Sequence, residues 1–80
     1  MDRPELDQAA LDAALIGAHE AGDDPRLVSL YTQAADAAEA EGDIGACCFH
    51  LTQAYVFALA CGARQAGALH ARLMAHGREE

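Results

Sequence analysis

The sequence predicts an all-α domain of about four antiparallel helices, and three observations lead to this fold class. Alanine supplies 20 of the 80 residues and proline only two, a composition that favours helix. Glycine recurs every 20 residues, at Gly22, Gly42 and Gly62. No stretch alternates apolar and polar residues in the manner of a strand. We therefore expect residues 1–80 to form a single helical domain.

A 20-residue period organises the chain beyond its glycines. Thr-Gln-Ala at 32–34 returns at 52–54. Three further sets keep the same step: Leu11, Tyr31 and Leu51; Ala14, Ala34 and Ala54; Ala18, Ala38 and Ala58. A glycine after a helical stretch can adopt the left-handed conformation that ends a helix. One period is then one helix plus one turn.

Helices 1 and 2 are predicted from their apolar spacing and their start signals. Helix 1 is expected from about Pro4 to Ala21, and helix 2 is expected to begin where Asp24 caps it and Pro25 takes the first helical position. The expected buried face of helix 1 is Leu6, Ala10, Ala13, Ala14, Gly17, Ala18 and Ala21. For helix 2 the expected core face is Leu27, Tyr31, Ala34, Ala35 and Ala38, and the expected solvent face is Ser29, Thr32, Gln33, Asp36 and Glu39.

Helix 3 is predicted to start after Asp43 and to end near Cys61. No charged residue occurs from Ile44 to Ala63, a stretch of 20 residues that is long enough to cross a bilayer. Its polar side chains, its two glycines and its shared repeat with an amphipathic helix favour a central helix of a soluble domain instead. In a domain of four helices no helix is covered on all sides. Part of helix 3 is therefore expected to contact something outside the chain.

Helix 4 is predicted from about Ala63 to His76, with Gly77 ending it. Its expected inward residues are Ala66, Leu69, Leu73 and Met74, and its expected outward residues are Arg64, Ala68 and Arg72.

A helical projection places the expected contact surface on the most polar stripe of helix 3. His50, Gln53 and Phe57 lie on that stripe, where an aromatic residue is out of place and is typical of an interface. Leu15 and Ile16 flank the polar stripe of helix 1 in the same way. We predict these five residues as interaction residues; the alternative for Phe57 is that it folds under a neighbouring helix.

Residues 31–54 carry a helical-hairpin pattern: a large residue, small residues at close-packing positions, a glycine turn, and a second small-large-small series. The series reads Tyr31, Ala34, Ala35, Ala38, Gly42, Asp43, Cys47, Leu51, Ala54. It resembles about one tetratricopeptide repeat (TPR), although Ala38 stands where that family usually has an aromatic residue and Leu59 where it usually has proline. The resemblance implies helical hairpins and the binding of a protein or peptide. A plain four-helix bundle is the alternative fold.

The charge distribution limits the classes of partner. Net charge is −8, with 11 acidic residues and two arginines in residues 1–43, and the chain has no lysine. Binding a nucleic-acid backbone requires clustered cations, so nucleic acid is not an expected partner. The start of the chain lacks an apolar signal segment, and the three cysteines lack a disulfide framework. We therefore expect a cytoplasmic protein without a membrane partner.

Cys47, Cys48 and His50 are the residues that suggest a metal site or a reactive thiol. Cys47 and His50 share one side of a helix, but a structural zinc needs four ligands. Further ligands would have to come from His19, His70 or His76 on a facing helix or on a second chain. Packing of small cysteines is the simpler interpretation, and we expect no bound metal or cofactor.

No catalytic pattern is present, because the hydroxyls, carboxylates and glycines do not fall into a nucleophile motif or a phosphate-binding loop. The predicted function is a non-catalytic protein–protein interaction module, a small adaptor or accessory subunit that binds another protein or a second copy of itself. Two alternatives stay open: a metal- or thiol-dependent regulator, and an acidic inhibitor that mimics a polyanion.

Overall fold

A computed structural model describes residues 8–77 of the chain, and within that range it contains four α-helices and no strand. The helices are α1 (Gln8–Ala21), α2 (Asp24–Ala40), α3 (Ile44–Cys61) and α4 (Gln65–Ala75). The predicted all-α class with four helices is confirmed. The predicted beginning of helix 1, with Pro4 and Leu6, lies outside the described residues.

The three turns between helices share one hydrogen-bonded arrangement. Gly22, Gly42 and Gly62 have φ angles of 65°, 79° and 68°, in the left-handed region. The residue after each glycine donates its N–H to an alanine carbonyl five residues earlier, at 3.0 Å (Asp23 to Ala18), 2.9 Å (Asp43 to Ala38) and 2.8 Å (Ala63 to Ala58). This bond belongs to the Schellman motif that ends helices. The predicted alternation of helix and turn every 20 residues is therefore confirmed.

Aspartates begin α2 and α3. Asp23 and Asp43 each accept, through a side-chain oxygen, the backbone N–H three residues further on, at 3.2 Å and 3.1 Å. This satisfies one of the N–H groups that a helix start leaves without a partner. The prediction that Asp24 caps helix 2 is wrong by one residue, because Asp23 already closes the preceding turn. Asp24 and Pro25 both lie in the first turn of α2.

The helices pack in chain order. In the range 8–77, close backbone contacts join α1 to α2, α2 to α3 and α3 to α4, and the α2–α3 hairpin has the most extensive contact. In a closed bundle α1 would also contact α4, but no close backbone contact joins these two helices in this range. The array is therefore open, and each end helix is covered by its neighbour on one side only.

Two clusters of buried residues form the core of the described part of the chain. The larger core cluster joins α2, α3 and α4 through Val28, Ala35, Ala38, Cys47, Cys48, Leu51, Ala54, Ala58, Leu69 and Leu73. The smaller core cluster joins α1 to α2 through Leu11, Ala18, Leu27, Leu30 and Ala34. Tyr31 and Phe57 are partly buried and pack against both clusters. The predicted core face of helix 2 is confirmed at its four buried members, and Val28 and Leu30 extend it.

The predicted buried face of helix 1 is wrong in orientation. Leu11 and Ala18 are the buried residues of α1, and Ala14 and Leu15 are partly buried. The other predicted members that the structure describes are exposed: Ala10, Ala13, Gly17 and Ala21. Among residues 8–77, the close backbone contacts of α1 are with α2, so α1 is covered on one narrow side. Burying leucine removes more apolar surface from water than burying alanine, so the leucine side faces the core.

Helix α4 departs from its prediction at two residues. Met74, expected to face inward, is 50% exposed, whereas Leu69 and Leu73 are buried as predicted. Arg72, expected to face outward, has a side chain only 30% exposed and forms ion pairs with α2. The cause is the narrow contact of α4, which covers the Leu69–Leu73 side and leaves the next position around the helix, Met74, in solvent.

Candidate functional site

Helix α3 presents a stripe without charge along its exposed side. We define the α3 stripe as Gly45, Phe49, Thr52, Val56 and Leu59, which are three or four residues apart and all exposed. Phe49 and Leu59 each keep 58% of their surface exposed, and Val56 keeps 50%. The stripe covers 14 helical steps, about 21 Å. Such a row of large apolar side chains in water is a candidate binding surface.

The stripe is exposed because the rest of the fold covers only the opposite side of α3. Cys47, Leu51, Ala54 and Ala58 are completely buried against α2 and α4. These four residues lie about 180° around the helix from the stripe at 100° per residue. Of the 18 residues of α3, 28% are buried, and the residues of the stripe lie among those that this chain leaves exposed.

The two ends of the stripe have opposite shapes. Near the start of α3, a shallow depression is lined by Gly45, Cys48, Phe49 and Thr52. Gly45 has no side chain there, and a Cβ added at this position would meet only a carboxylate oxygen 3.8 Å away. At the other end, Leu59 protrudes into solvent. The stripe therefore has a shallow depression at one end and a protruding leucine at the other, both on one helix face.

The length and composition of α3 also permit another interpretation. Its mean hydropathy is 1.5 over 18 residues, and in the described range it is the one helix that is long and apolar enough to cross a membrane. The core helix of a soluble protein passes the same test. In this fold one side of α3 forms the centre of the larger core cluster, a position typical of such a core helix.

Three of the predicted interaction residues lie on a different side of α3. His50, Gln53 and Phe57 are each partly buried, so the most exposed side of the helix lies roughly 100° away from the predicted stripe. The predicted stripe is thus not the most exposed side of helix 3. Whether these three residues contact a partner stays a prediction.

Phe57 lies in an aromatic group that connects three helices. Its ring stacks on that of Tyr31 with centroids 6.0 Å apart, and it meets the edge of the His19 ring at 5.5 Å. The Nε2 atom of His19 lies 3.0 Å from the hydroxyl of Tyr31, within hydrogen-bonding distance. The open array therefore uses Phe57 to join α3 to both α1 and α2, as the alternative interpretation of this residue proposed.

The two predicted interaction residues of α1 have different environments. Leu15 is partly buried and packs against the smaller core cluster. Ile16 is 59% exposed. Only Ile16 therefore offers a largely uncovered apolar side chain, and it lies on a helix that does not contact α3 closely along the backbone. The contact role predicted for Leu15 and Ile16 stays a prediction.

A second cluster, polar in character, lies where α2, α3 and the end of α4 meet. One ligand-type atom from each of Glu39, Cys47 and His76 lies within 4.8 Å of the others. Arg72 donates to Glu39 Oε1 at 3.1 Å and pairs with Asp36 at 2.9 Å. His76 Nε2 lies 3.3 Å from Glu39 Oε2. A thiol, an imidazole and a carboxylate thus converge around the buried Cys47.

The electrostatics of this cluster keep the thiol neutral. Burial, assisted by the negative charge of Glu39, raises the pKa of Cys47 above that of a free cysteine. Burial alone would lower the pKa of Arg72, but the hydrogen bond and charge of Asp36, together with Glu39, raise it overall. Arg72 therefore stays charged, and Cys47 is a protonated thiol at neutral pH.

The set Cys47, Cys48 and His50, considered from the sequence as ligands, does not come together as one group. Cys48 is buried in the larger core cluster. His50 instead makes ring contacts with Tyr31, at 6.2 Å between centroids, and with Phe49, at 5.3 Å. His76 takes the place next to Cys47, which depends on how α4 returns toward α2. His76, one of the three histidines that the sequence named as possible further ligands, therefore lies beside Cys47, but the sequence could not indicate which of the three it would be.

Comparison of the chain with known protein families, with curated proteins and with solved structures finds no match.

Proposed function

We propose that this protein is a non-catalytic protein–protein interaction module whose α3 stripe binds a second copy of the same chain. The observation that supports this proposal is the uncharged exposed face of α3, on which Phe49, Val56 and Leu59 each keep half or more of their surface in water. Burial of such side chains is the main favourable term in association.

The shape of the stripe supports a second copy as the occupant. A two-fold axis at Thr52 would place two α3 helices antiparallel and would bring Leu59 of each copy to the Gly45–Phe49 depression of the other. In such an isologous contact the Leu59 side chain of each copy packs into the depression of the other, because one helix face carries both features. The depression is lined by residues of the stripe itself and by Cys48.

The charge pattern supports the same arrangement. Two chains of net charge −8 repel each other, and the acidic residues are concentrated in residues 1–43. No charged residue lies between Ile44 and Ala63, so a contact through α3 adds no like-charge pair at its centre. The acidic half of each chain would remain in solvent, where salt screens the repulsion.

The expected affinity of the dimer is low. Burying the exposed part of one large apolar side chain contributes about 1 to 1.5 kcal/mol. Six such side chains in a pair of stripes would contribute roughly 6 to 9 kcal/mol, from which the cost of association is subtracted. A cost of at least about 4 kcal/mol leaves at most about 5 kcal/mol, so we expect a dissociation constant from high micromolar to millimolar and a dimer that dissociates on dilution.

The test compares single charge substitutions on and off the stripe. Leu59→Glu and Phe49→Glu each place a charge in the proposed contact, so both variants should be monomeric where the wild-type chain is dimeric. Met74→Glu is the matched control, since Met74 is 50% exposed on α4, lies outside the stripe and should leave the dimer intact. The measurement is mass by light scattering and analytical ultracentrifugation over a concentration series. A monomeric wild-type chain at 1 mM would overturn the proposal.

A cross-link tests the orientation. In a Cys61→Ser background, which removes the exposed native cysteine, Thr52→Cys should form a disulfide-linked dimer under mild oxidation because Thr52 lies at the proposed axis. Ser29→Cys, exposed on α2, is the control and should cross-link far less. Equal cross-linking of the two variants would exclude an antiparallel pairing of the α3 helices.

The proposal includes the TPR-like character of the α2–α3 hairpin. That resemblance implies that small residues let the two helices approach closely and that exposed helix faces bind protein or peptide.

Salt dependence distinguishes the proposal from an acidic inhibitor. Contact through the α3 stripe should be unchanged or strengthened as salt increases, because salt screens the repulsion between two acidic chains, whereas a polyanion mimic should lose its partner steeply.

A further inference from the structure

The cluster of Glu39, Cys47 and His76 has the properties of a metal site that the proposed interaction function does not use. Glu39 is near the end of α2, Cys47 is in the first turn of α3, and His76 follows α4. The three groups come from three different parts of the chain, yet one ligand-type atom of each lies within 4.8 Å of the other two. We propose that these three residues bind one Zn²⁺ ion, with a fourth position open to water.

The distances fit a tetrahedral ion after a small adjustment. Bonds of about 2.0 to 2.1 Å from zinc to nitrogen and oxygen place two such ligands about 3.4 Å apart. His76 Nε2 and Glu39 Oε2 are already 3.3 Å apart. With a zinc–sulfur bond of about 2.3 Å, the sulfur belongs about 3.5 Å from the other ligand atoms. The Cys47 sulfur lies within 4.8 Å of both, so each of these two distances needs to shorten by no more than about 1.3 Å.

The neighbouring residues arrange the carboxylate for this role. Arg72 occupies Oε1 of Glu39 at 3.1 Å, so Oε2 is the oxygen that points toward His76. A partner that holds the second oxygen of a ligating carboxylate is a regular feature of metal sites. Asp36 pairs with Arg72 at 2.9 Å and balances the guanidinium charge. The carboxylate of Glu39 and a thiolate at Cys47 would then balance the two charges of zinc.

The donor types select the ion. A thiolate and an imidazole favour zinc over magnesium or calcium, which prefer oxygen ligands. Cys47 is buried and its thiol is protonated at neutral pH, so zinc binding must displace that proton into solvent. The side chain of Glu39 is 45% exposed and that of His76 is 22% exposed, which leaves a route for the ion from the surface.

The experiment is a titration of the full-length untagged chain with Zn²⁺ by calorimetry and with Co²⁺ by absorption spectroscopy. We expect one ion per chain, a thiolate-to-cobalt charge-transfer band, and a rise in the unfolding midpoint when zinc is added. His76→Gln and Cys47→Ala should each weaken binding at least about tenfold. Because His76 lies after the last helix, the His76→Gln variant should keep the helical circular-dichroism spectrum.

Two control variants each remove a thiol or an imidazole that lies outside the proposed metal site. Cys61→Ser removes an exposed thiol, and His70→Gln removes a histidine that packs on Tyr55 at 5.4 Å between ring centroids. Both should bind zinc as the wild-type chain does. Absence of saturable binding at millimolar zinc would overturn the proposal. So would affinity that is unchanged in folded His76→Gln or that is lost in Cys61→Ser. Dimer dissociation is measured separately, so either proposal can fail alone.

Discussion

At the scale of single residues, Cys47 shows how an ordinary packing residue acquires unusual chemistry. Its spacing makes it one of the small residues of the α2–α3 hairpin, and it is completely buried there. Burial and the nearby Glu39 both disfavour a thiolate, so the pKa of Cys47 is raised. The free thiol is therefore protected and unreactive, unlike Cys61, which is exposed.

This environment predicts a loss of stability at alkaline pH. The unfolded chain releases the Cys47 proton above about pH 8.5, the ordinary pKa of cysteine, while the folded chain retains it because its pKa is higher. The free energy of unfolding should fall as pH rises through this window, by at most about 1.4 kcal/mol per pH unit, and level off above the folded pKa.

The measurement is urea unfolding from pH 7 to pH 10.5 in metal-free buffer, with Cys47→Ala as the comparison. The stability difference between the wild-type chain and Cys47→Ala should shift in favour of the variant above about pH 8.5. Cys61→Ser should follow the wild-type profile. Parallel profiles for all three chains would contradict the raised pKa.

At the scale of the helix, residues at the two ends determine where each helix begins and where it stops. Asp43 satisfies the start of α3, and Gly62, at φ 68°, closes its end. A residue with a Cβ pays about 1 to 2 kcal/mol in the left-handed conformation. Within a helix the preference is reversed, because glycine costs about 0.5 to 1 kcal/mol relative to alanine.

Alanine substitutions at two glycines should therefore change the free energy of unfolding in opposite directions. Gly62 lies in the turn before α4, and Gly67 is the third residue of α4. Gly62→Ala should destabilise the chain by about 1 kcal/mol, since only its backbone conformation opposes a Cβ. Gly67→Ala should stabilise it by about 0.5 to 1 kcal/mol, because an added Cβ there meets nothing within 4 Å. Urea unfolding of both variants is the measurement. The same sign in both would contradict the assigned turn.

At the scale of the whole molecule, stability depends on joining two small clusters in an open array. The smaller core cluster holds α1 against α2, and the larger one holds α2, α3 and α4 together. Tyr31 and Phe57 are the large side chains that pack against both. Eighty residues leave little reserve stability, so this connection is expected to decide whether α1 stays docked.

A pair of phenylalanines on α3 tests this connection. Phe57→Ala should cost about 2 to 3 kcal/mol and should reduce hydrogen-exchange protection in α1, because Phe57 contacts both clusters. Phe49→Ala should cost less than about 0.5 kcal/mol, because Phe49 is 58% exposed. Both variants are made in the Leu59→Glu background, so that the proposed dimer contact does not contribute. Equal costs would contradict the joint at Phe57.

The sequence by itself determined the helices and their ends, since glycine turns and aspartate caps act on neighbouring residues. Gly42 and Asp43 could therefore be placed from spacing alone, as could the charge-free length of α3. The face that each helix turns inward was decided by the tertiary structure. Alanine is tolerated both inside and outside, so an alanine-rich projection leaves several orientations close in energy.

Only the packing of α2, α3 and α4 brings His76 to Cys47 and turns Phe49, Val56 and Leu59 outward. The sequence indicated that part of α3 would lie uncovered, because its apolar surface exceeds what three neighbours can bury. It could not indicate which part, because that depends on where the neighbouring helices pack. Contacts between residues distant in the chain have no local signal. The cluster of Glu39, Cys47 and His76 consists of such contacts, and the exposure of the α3 stripe depends on which side of α3 they cover.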